Sequence, residues 1–232
     1  MIPSNYIDIH SHLLPGIDDG SPNIVTTFSL INELKSIGFN SFITTPHVMN
    51  HVWQNTKSSI ETTHRDTSKA LLDSGIENKL DVAAEYMLDD NFRKLFKREK
   101  LLCLKDNYVL IEMSYLSAPL DLYTILFDLQ VAGYIPVLAH PERYAFYHEN
   151  LEEYKKLKHA GCLFQLNLLS CVGYYGSQVS KTADYLLKNN LINFVGSDVH
   201  HKKHIASFNK KIVLKSVDSL KDAFQNNLFF KL

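Results

Sequence analysis

The sequence predicts an α/β protein, folded as a closed barrel of seven strand-then-helix units. Short runs rich in β-branched and aromatic residues alternate with helical stretches along the chain. This alternation indicates parallel strands joined by right-handed crossovers, in an open sheet or a barrel. Six of the seven predicted strands end in a residue type that binds metal ions, and only a closed barrel gathers such ends at one face.

Composition places the chain among ordinary globular proteins. It has 232 residues, with 24 Lys and Arg against 25 Asp and Glu, a hydrophobic share of 45% and a charged share of 21%. These values argue against disorder, collagen and coiled coil, and the absence of a basic excess argues against nucleic-acid binding. We find no linker or change of composition, so we expect a single domain over residues 1–232.

Three further features bear on cellular location. No run approaches the roughly 18 apolar residues of a membrane span, and the first residues lack the pattern of a signal peptide. Cys103, Cys162 and Cys171 are odd in number and irregularly spaced, which is typical of reduced, buried thiols. We therefore expect a cytoplasmic protein that does not insert into membranes.

The first two units are predicted from turn and cap residues. Residues 6–10 form the first strand, and a helix begins at the cap Ser21, followed by proline, and ends at Gly38. Residues 41–45 form the second strand, which proline ends, and a polar helix covers about 57–75.

The remaining units follow the same logic. The predicted strands are 80–85, 108–112, 135–139, 162–167 and 193–197. The predicted helices 120–131, 151–159 and 182–188 each end at a glycine or asparagine stop. Residues 213–232 resemble a further strand-helix piece without identifiable chemistry.

Imidazoles and carboxylates recur where the predicted strands end. His10 and His12, like Asp198 and His200, are two positions apart, so in extended chain their side chains share one side. Imidazole with carboxylate suits zinc, iron or manganese. Nine candidates are too many for one ion and fit three if a carboxylate bridges: His10, His12, Asp18, His47, Glu85, Glu112, His140, Asp198 and His200.

The pattern as a whole outweighs its single members. A lone histidine at a strand end is usually hydrogen-bonded or solvated, and Glu85 or Glu112 alone could be a surface acid. Independent surface residues, however, have no reason to fall at one end of six strands. Asp18 and Asp19 lie in the same loop after the first strand, and either can reach the mouth of the barrel.

Arg143, three positions after His140, can reach the same mouth, where its guanidinium would grip two phosphate oxygens; a loop salt bridge is the alternative. A cysteine-nucleophile phosphatase requires arginine six places after cysteine, but Val109, Leu168 and Ser177 occupy those positions. The chain has no Gly-x-Ser-x-Gly elbow and no Gly-x-x-x-x-Gly-Lys loop. Of the hydrolytic mechanisms considered, metal-activated hydrolysis is the one that the sequence supports.

The motifs IDIHSHLLPGIDDGS, TTPH, Glu85, IEM, LAHPERY and VGSDVH resemble the PHP superfamily, named for polymerase and histidinol phosphatase domains. Within it, the chain is similar to bacterial metal-dependent protein-tyrosine phosphatases of capsule and exopolysaccharide synthesis. The match covers residues 7–200. It implies a distorted (β/α)7 TIM-like barrel with three metal ions, manganese first, with iron or zinc as alternatives.

The resemblance also divides the nine candidates among the ions. It implies a first ion held by His10, His12, Glu85 and Asp198. Glu85 would bridge to a second ion bound by Glu112 and His140. The third ion would be held by Asp18, His47 and His200, with Asp18 preferred over Asp19 for its distance from His10.

The hypothesis that follows is in-line attack on phosphorus by a hydroxide held between two ions, with the catalytic residues Arg143, Glu85, Glu112 and His140. The resemblance implies a phosphotyrosine protein as substrate, namely the tail of a membrane-linked tyrosine autokinase. Relatives carry a second arginine after the last histidine ligand, where Lys202 and Lys203 stand here. The aromatic residues that could line a phenyl slot, or belong to the core, are Tyr144, Phe146, Tyr147, Tyr174 and Tyr175.

Three alternatives stay open. A histidinol-phosphate or other small-molecule phosphatase would use the same scaffold and metals. An amidohydrolase-like barrel shares the opening His-x-His but normally places a modified lysine where Glu112 stands. A catalytically inactive metal-binding scaffold has no physical need for the full ligand set.

Overall fold

The computed structural model describes residues 6–76 and 79–231. The strands of this part are β1 Tyr6–Asp8, β2 Phe39–Thr44, β3 His47–Val48, β4 Lys79–Val82, β5 Glu85–Met87, β6 Tyr108–Glu112, β7 Ile135–Ala139, β8 Leu163–Asn167 and β9 Phe194–Gly196. The helices are α1 Ile24–Ser36, α2 Lys57–Asp73, α3 Phe92–Arg98, α4 Leu122–Val131, α5 Glu152–His159, α6 Ser177–Lys188, α7 Lys202–Ser207 and α8 Asp218–Asn227. Strands and helices alternate along the described residues, as predicted, and neighbouring strands pair in parallel.

One predicted break and one unpredicted break divide the strands of the structure. The second predicted strand, 41–45, is β2 and ends before Pro46 as predicted, because proline donates no hydrogen bond to a neighbouring strand, and the short strand β3 follows it. The third, predicted as 80–85, is β4 and β5, separated at 83–84. Bonds from Thr45 N to Ser11 O at 2.7 Å and from Glu85 N to Pro46 O at 3.0 Å carry the pairing past these breaks. The nine strands therefore occupy seven positions, in sheets ordered β1-β2-β4 and β3-β5-β6-β7-β8-β9.

Backbone bonds between the first and last units close the ring at its upper end. Ser11 and Val199 form a parallel bridge, and His12 N donates to Val199 O at 3.0 Å. Asp198 N donates to His10 O at 2.7 Å. The predicted closed, distorted (β/α)7 barrel of TIM-like architecture is confirmed.

Two buried side chains complete this seam below the backbone bridge. The Asp8 carboxylate accepts a bond from Ser197 N at 2.9 Å. Asn227, at the end of α8, donates to Ile7 O at 3.2 Å and to Val195 O at 2.8 Å, and accepts from Val195 N at 3.1 Å. Because buried peptide groups need partners, these side chains replace the ladder that β1 and β9 lack there.

Strand side chains alternate between two apolar cores. In β6, Val109 and Ile111 face the helices, whereas Leu110 faces the barrel axis. Phe230 joins the axial core and closes the lower end of the barrel. The axial core consists of Ile7, Ile9, Ile43, Ala83, Leu104, Leu110, Val137, Ala139, Phe194 and Phe230. With its lower half filled, the barrel is open to ligands only at the carboxyl ends of its strands.

Local boundaries differ from prediction in identifiable places. The cap of α1 is Asn23, whose side chain accepts from Thr26 N at 3.0 Å, rather than Ser21, whose hydroxyl donates to Asn23 O. Residues 213–217 form no strand, so the strand-helix prediction for 213–232 is correct only for its helix. Helices α3 and α7 are too short to give a periodic sequence signal.

Within the described ranges, no helix is long and apolar enough to cross a membrane. α4 does leave an apolar stripe exposed on its outer face. Its large members are Tyr123, Phe127 and Val131.

Candidate metal centre

The mouth of the barrel gathers imidazoles and carboxylates from every part of the chain. Two of these residues have left-handed backbone conformations. His140, which directly follows β7, has a φ of 36°, and Asp198, two residues after β9, has a φ of 50°. Non-glycine residues in this region carry strain that the surrounding fold must offset, and such strain concentrates at functional sites.

One group surrounds the two histidines of the first strand. His10 Nε2 lies 3.2 Å from Glu85 Oε2 and 3.3 Å from Asp198 Oδ1. His12 Nε2 lies 3.4 Å from each of the same two oxygens. All four side chains are buried, so two imidazole nitrogens and two carboxylate oxygens converge on one point.

A second group shares Glu85 with the first. The other oxygen of Glu85, Oε1, lies 3.0 Å from His140 Nε2. His47 Nδ1 lies 2.8 Å from Glu112 Oε1 and 3.2 Å from Glu85 Oε2. Glu85 therefore has the position that a bridging carboxylate requires.

A third group lies at the rim and contains Asp19. Ligand atoms of His12, Asp19, His47 and His200 lie within 4.8 Å of one another. Asp19 Oδ1 is 3.5 Å from both His47 Nε2 and His200 Nε2, and its side chain is 56% exposed.

Asp18 lies outside all of these groups, which differs from the expectation. Its Oδ2 is 2.8 Å from His12 Nδ1 and accepts from His47 N at 3.2 Å, and its Oδ1 accepts from Gly20 N at 2.9 Å. Both oxygens of Asp18 are therefore engaged in hydrogen bonds. Asp18 orients the His12 ring through Nδ1, on the side opposite to the Nε2 atom that faces Glu85 and Asp198.

Other polar groups orient the histidines in the same way. His10 Nδ1 lies 2.6 Å from Gln165 Oε1, and His200 Nδ1 lies 2.9 Å from Asp198 O. Such contacts fix the ring and leave Nε2 to face a metal ion. Gln165 was not predicted, because an amide in the middle of a strand gives no sequence signal of this role.

Burial and neighbouring charges set the protonation of the mouth. Burial alone would raise the pKa of Glu85, but the imidazoles of His10 and His47 hold it well below its usual range. Burial and Arg143 lower the pKa of His140, and burial and His12 lower that of His200 to about 3. Against the effect of burial, neighbouring carboxylates raise the pKa of His10, His12 and His47. Imidazole binds metal in its neutral form, so metal ions would displace protons from these three rings.

Unsatisfied buried atoms test whether the residues fit metal ions. Among the described residues, His47 Nδ1, Glu112 Oε1 and His140 Nδ1 are buried without a hydrogen-bond partner of good geometry. His47 Nδ1 and Glu112 Oε1 are close enough to pair as ions but misaligned for a hydrogen bond. Orphaned atoms in a mixed nitrogen and oxygen donor set fit transition-metal ions.

Arg143 lies at the edge of the centre, held flat between two rings. Its Nη1 donates to Asp198 Oδ2 at 2.8 Å. The guanidinium carbon is 4.2 Å from the ring centroid of Tyr175 and 4.8 Å from that of Tyr115. Asn167 Nδ2 donates to Asp198 Oδ2 at 2.7 Å and to the Tyr175 hydroxyl at 3.2 Å, which joins the three residues.

A cavity of about 540 Å³ opens above the metal-binding groups, and we call it the metal cavity. Of the five predicted aromatic residues only Tyr175 lines it; Tyr144 is fully buried. Tyr115, which was not predicted, provides the second ring. Lys202 points away, since its Nζ lies 3.3 Å from Glu33 Oε1. His201 and His204 line the wall where a second family arginine was expected.

A TIM-like barrel with overlapping imidazole and carboxylate groups and an arginine at its mouth defines the class of metal-dependent hydrolases. The chain belongs to the family described as capsular polysaccharide synthesis, CpsB/CapC, whose model matches residues 6–224.

Characterised relatives carry the name tyrosine-protein phosphatase. YwqE of Bacillus subtilis is 32% identical over 198 residues, which are 85% of this chain and 78% of that protein. CpsB of Streptococcus pneumoniae is 28% identical over 204 residues, 84% of this chain and 83% of that one.

Solved structures agree. A structure from the work on YwqE from Bacillus subtilis and CpsB from Streptococcus pneumoniae, "unique metal-dependent tyrosine phosphatases", matches with a TM-score of 0.81 at 30% identity, covering 94% of this chain and 87% of that chain. The histidinol phosphate phosphatase of Lactococcus lactis, solved with zinc, L-histidinol and phosphate, matches with a TM-score of 0.56 at 12% identity, covering 96% and 94%. The second likeness shows a shared fold.

Proposed function

We propose that this chain is a metal-dependent tyrosine-protein phosphatase whose 232 residues form one catalytic domain. The observation that carries the proposal is the position of Arg143, which lies over Asp198 at the rim of overlapping metal-binding groups. A guanidinium beside a metal cluster is suited to a phosphoryl group, which offers several negative oxygens. Membership of the CpsB/CapC family supports the assignment.

Three ions are proposed, with manganese preferred over iron and zinc because carboxylates are numerous in the donor set. The first would be held by His10, His12, Asp198 and Glu85. The second would be held by Glu85 and His140, whose ligand atoms lie 3.0 Å apart, together with Glu112 as the resemblance implies. The third would be held by His47, His200 and Asp19, the last in place of the expected Asp18.

When bound, the ions supply a hydroxide nucleophile at neutral pH and neutralise charge on the phosphoryl oxygens. Arg143 binds two of those oxygens and holds the phosphoryl group against the centre. Tyr115 and Tyr175 contact the guanidinium and hold it at the rim of the centre. A phenolate leaving group, with a pKa of about 10, departs without a strong general acid. Glu85, Glu112 and His140 act by holding the ions.

The proposed physiological substrate is a phosphotyrosine in the tail of a tyrosine autokinase, as the resemblance implies, and the proposed location is the cytoplasm. The open metal cavity supports the first point, because a side chain carried on a protein segment can enter it from solvent. Three unpaired cysteines, Cys103, Cys162 and Cys171, support the second, because thiols stay reduced there.

The decisive experiment measures phosphate release from a phosphotyrosine peptide and from histidinol phosphate, by manganese-loaded protein and by the same protein stripped with chelator. Metal-dependent release from the peptide supports the proposal. Release from histidinol phosphate alone would assign a small-molecule phosphatase on the same scaffold. Silence on both substrates would assign an inactive metal-binding scaffold.

A further inference from the structure

A second cavity of about 300 Å³ opens beside the metal cavity, and the two share a wall. The wall consists of Met49 and Trp53, which line both spaces. Met49 N donates to Trp53 O at 2.9 Å and Trp53 N to Met49 O at 3.0 Å, so the wall is a tight turn. Val52 stands at its crest, 59% exposed.

Partly buried and exposed hydrogen bonds hold the second cavity in shape. Asp89 Oδ2 accepts from Asn50 N at 2.8 Å, while its Oδ1 accepts from Asn91 N at 2.9 Å. This carboxylate therefore ties the tight turn to the start of α3. Asn55 Nδ2 donates to His47 O at 2.8 Å and to Ile17 O at 2.9 Å, which couples the second cavity to the metal centre.

The lining of the second cavity is apolar at its floor and amide-rich at its rim. The floor includes Val48, Leu95 and the buried ring of Tyr86. The rim carries the amides Asn50, Gln54 and Asn91. Its two charged residues, Lys57 and Glu99, have opposite signs. This lining complements an uncharged side chain with an apolar stem and a hydrogen-bonding tip.

We propose that the second cavity binds the side chain two residues away from phosphotyrosine in an extended peptide substrate, an inference that rests on the proposed phosphatase function. Residues i and i+2 of an extended chain project to one side and lie about 6.6 Å apart, which suits two cavities divided by a single wall. The peptide backbone crosses over Trp53 between them. The enzyme thus recognises a segment of protein rather than an isolated phosphomonoester.

The test compares kcat/KM for p-nitrophenyl phosphate with that for phosphotyrosine peptides carrying glutamine, glutamate or glycine two residues before or after the phosphotyrosine. On one of the two sides, the glutamine peptide should exceed the glycine and glutamate peptides about tenfold, which corresponds to about 1.4 kcal/mol.

Two variants fill the second cavity from residues that do not line the metal cavity, Asn91→Tyr and Gln54→Tyr. Each should reduce the glutamine preference to about twofold or less. Leu72→Tyr, at a 73% exposed position of α2, is the matched control and should keep the preference.

Trp53 provides an independent readout of binding, because it is the single tryptophan of the chain. In the inactive Glu112→Gln protein, the glutamine peptide should shift its fluorescence at lower concentration than the glycine peptide. Adding Asn91→Tyr should remove this difference.

Equal rates with the glutamine and glycine peptides in the unmodified protein would overturn the inference, as would a preference that survives in both filling variants. Hydrolysis of p-nitrophenyl phosphate would still support the phosphatase in either case. Loss of all metal-dependent phosphatase activity would overturn the proposed function itself.

Discussion

Substitution of His140 or Glu112 should impair catalysis without unfolding the protein. Both residues are buried at strand ends outside the axial core, so the fold of each variant must be compared with that of the unmodified protein. We expect His140→Ala and Glu112→Gln to lower kcat by about a thousandfold, since a metal ion contributes several kcal/mol to the transition state. Steady-state kinetics with circular dichroism checks this, and full activity in either folded variant would contradict the assignment.

The neighbours Asp18 and Asp19 have different roles in the structure, and metal analysis can distinguish them. Asp19→Asn should bind one ion fewer per chain, because it removes an oxygen of the rim group. Asp18→Asn should keep the full number but with about 10 to 100-fold weaker affinity, because it loosens His12 from behind. The reverse pattern would restore Asp18 as the ligand.

Arg143 is expected to act through its planar fork and not only through its charge. Arg143→Lys preserves the charge but cannot bind two oxygens at once or stack between Tyr115 and Tyr175. We expect about a tenfold loss of kcat/KM or more, equivalent to at least 1.4 kcal/mol. Unchanged kinetics in this variant would reduce Arg143 to a loop ion pair with Asp198.

For single residues, the sequence predicted where the candidate ligands lie in the barrel better than it predicted their side-chain contacts. The nine candidates all fall at the mouth or directly behind it, because strand ends meet there. The choice between Asp18 and Asp19 depended on which carboxylate bonds to His12 Nδ1, and adjacent residues in one loop give no signal of that. Tyr115 and Gln165 were missed because their roles depend on three-dimensional neighbours.

Helix α8 not only packs against the barrel but also supplies Asn227, whose side chain hydrogen-bonds to the backbone of the first and last strands. Asn227→Ala leaves Ile7 O and Val195 N buried without partners, so unfolding free energy should fall by about 2 kcal/mol. The adjacent Asn226, whose amide bonds to Asn193 O at an exposed site, is the matched control and should cost less than about 1 kcal/mol on change to alanine. Urea denaturation measures both, and equal losses would show that the seam has no special weight.

Boundaries were predicted well where a strand is a continuous buried run. β6 and β7 begin and end as predicted, because nearly every residue is apolar and both ends carry turn signals. The break at Pro46 was predicted, but the short strand β3 after it and the break between β4 and β5 were not, since such short strands pair only through their tertiary neighbours.

For the whole molecule, metal ions should stabilise the fold as well as the chemistry. Overlapping groups of imidazoles and carboxylates converge at the mouth, and Glu85 belongs to two of them. Unfolding separates these ligands, so bound ions favour the folded state. Loading with manganese at about a hundredfold excess over Kd should add about 2.7 kcal/mol per site. Calorimetry of loaded and stripped protein measures the shift. Glu85→Gln, which removes the shared carboxylate, should show a smaller shift, and an equal one would contradict the bridging role.

Closure of the barrel was predicted because ligands from distant strands had to meet. The means of closure was not, because Asn227 and Asp8 look in sequence like an ordinary helix residue and an ordinary strand residue. Side chains that replace a backbone ladder leave no periodic pattern.

The seam also sets the order of events when the protein is made. Asp8 and Ser197 bond across 189 positions of sequence, and the first group of metal ligands, from His10 to Asp198, spans nearly the same gap. While the ribosome is still adding the middle of the chain, His10 and His12 have neither Asp198 nor His200 beside them. The groups that contain Asp198 or His200 are therefore incomplete in the nascent chain until synthesis is nearly finished, whereas Glu85, Glu112 and His140 are already present.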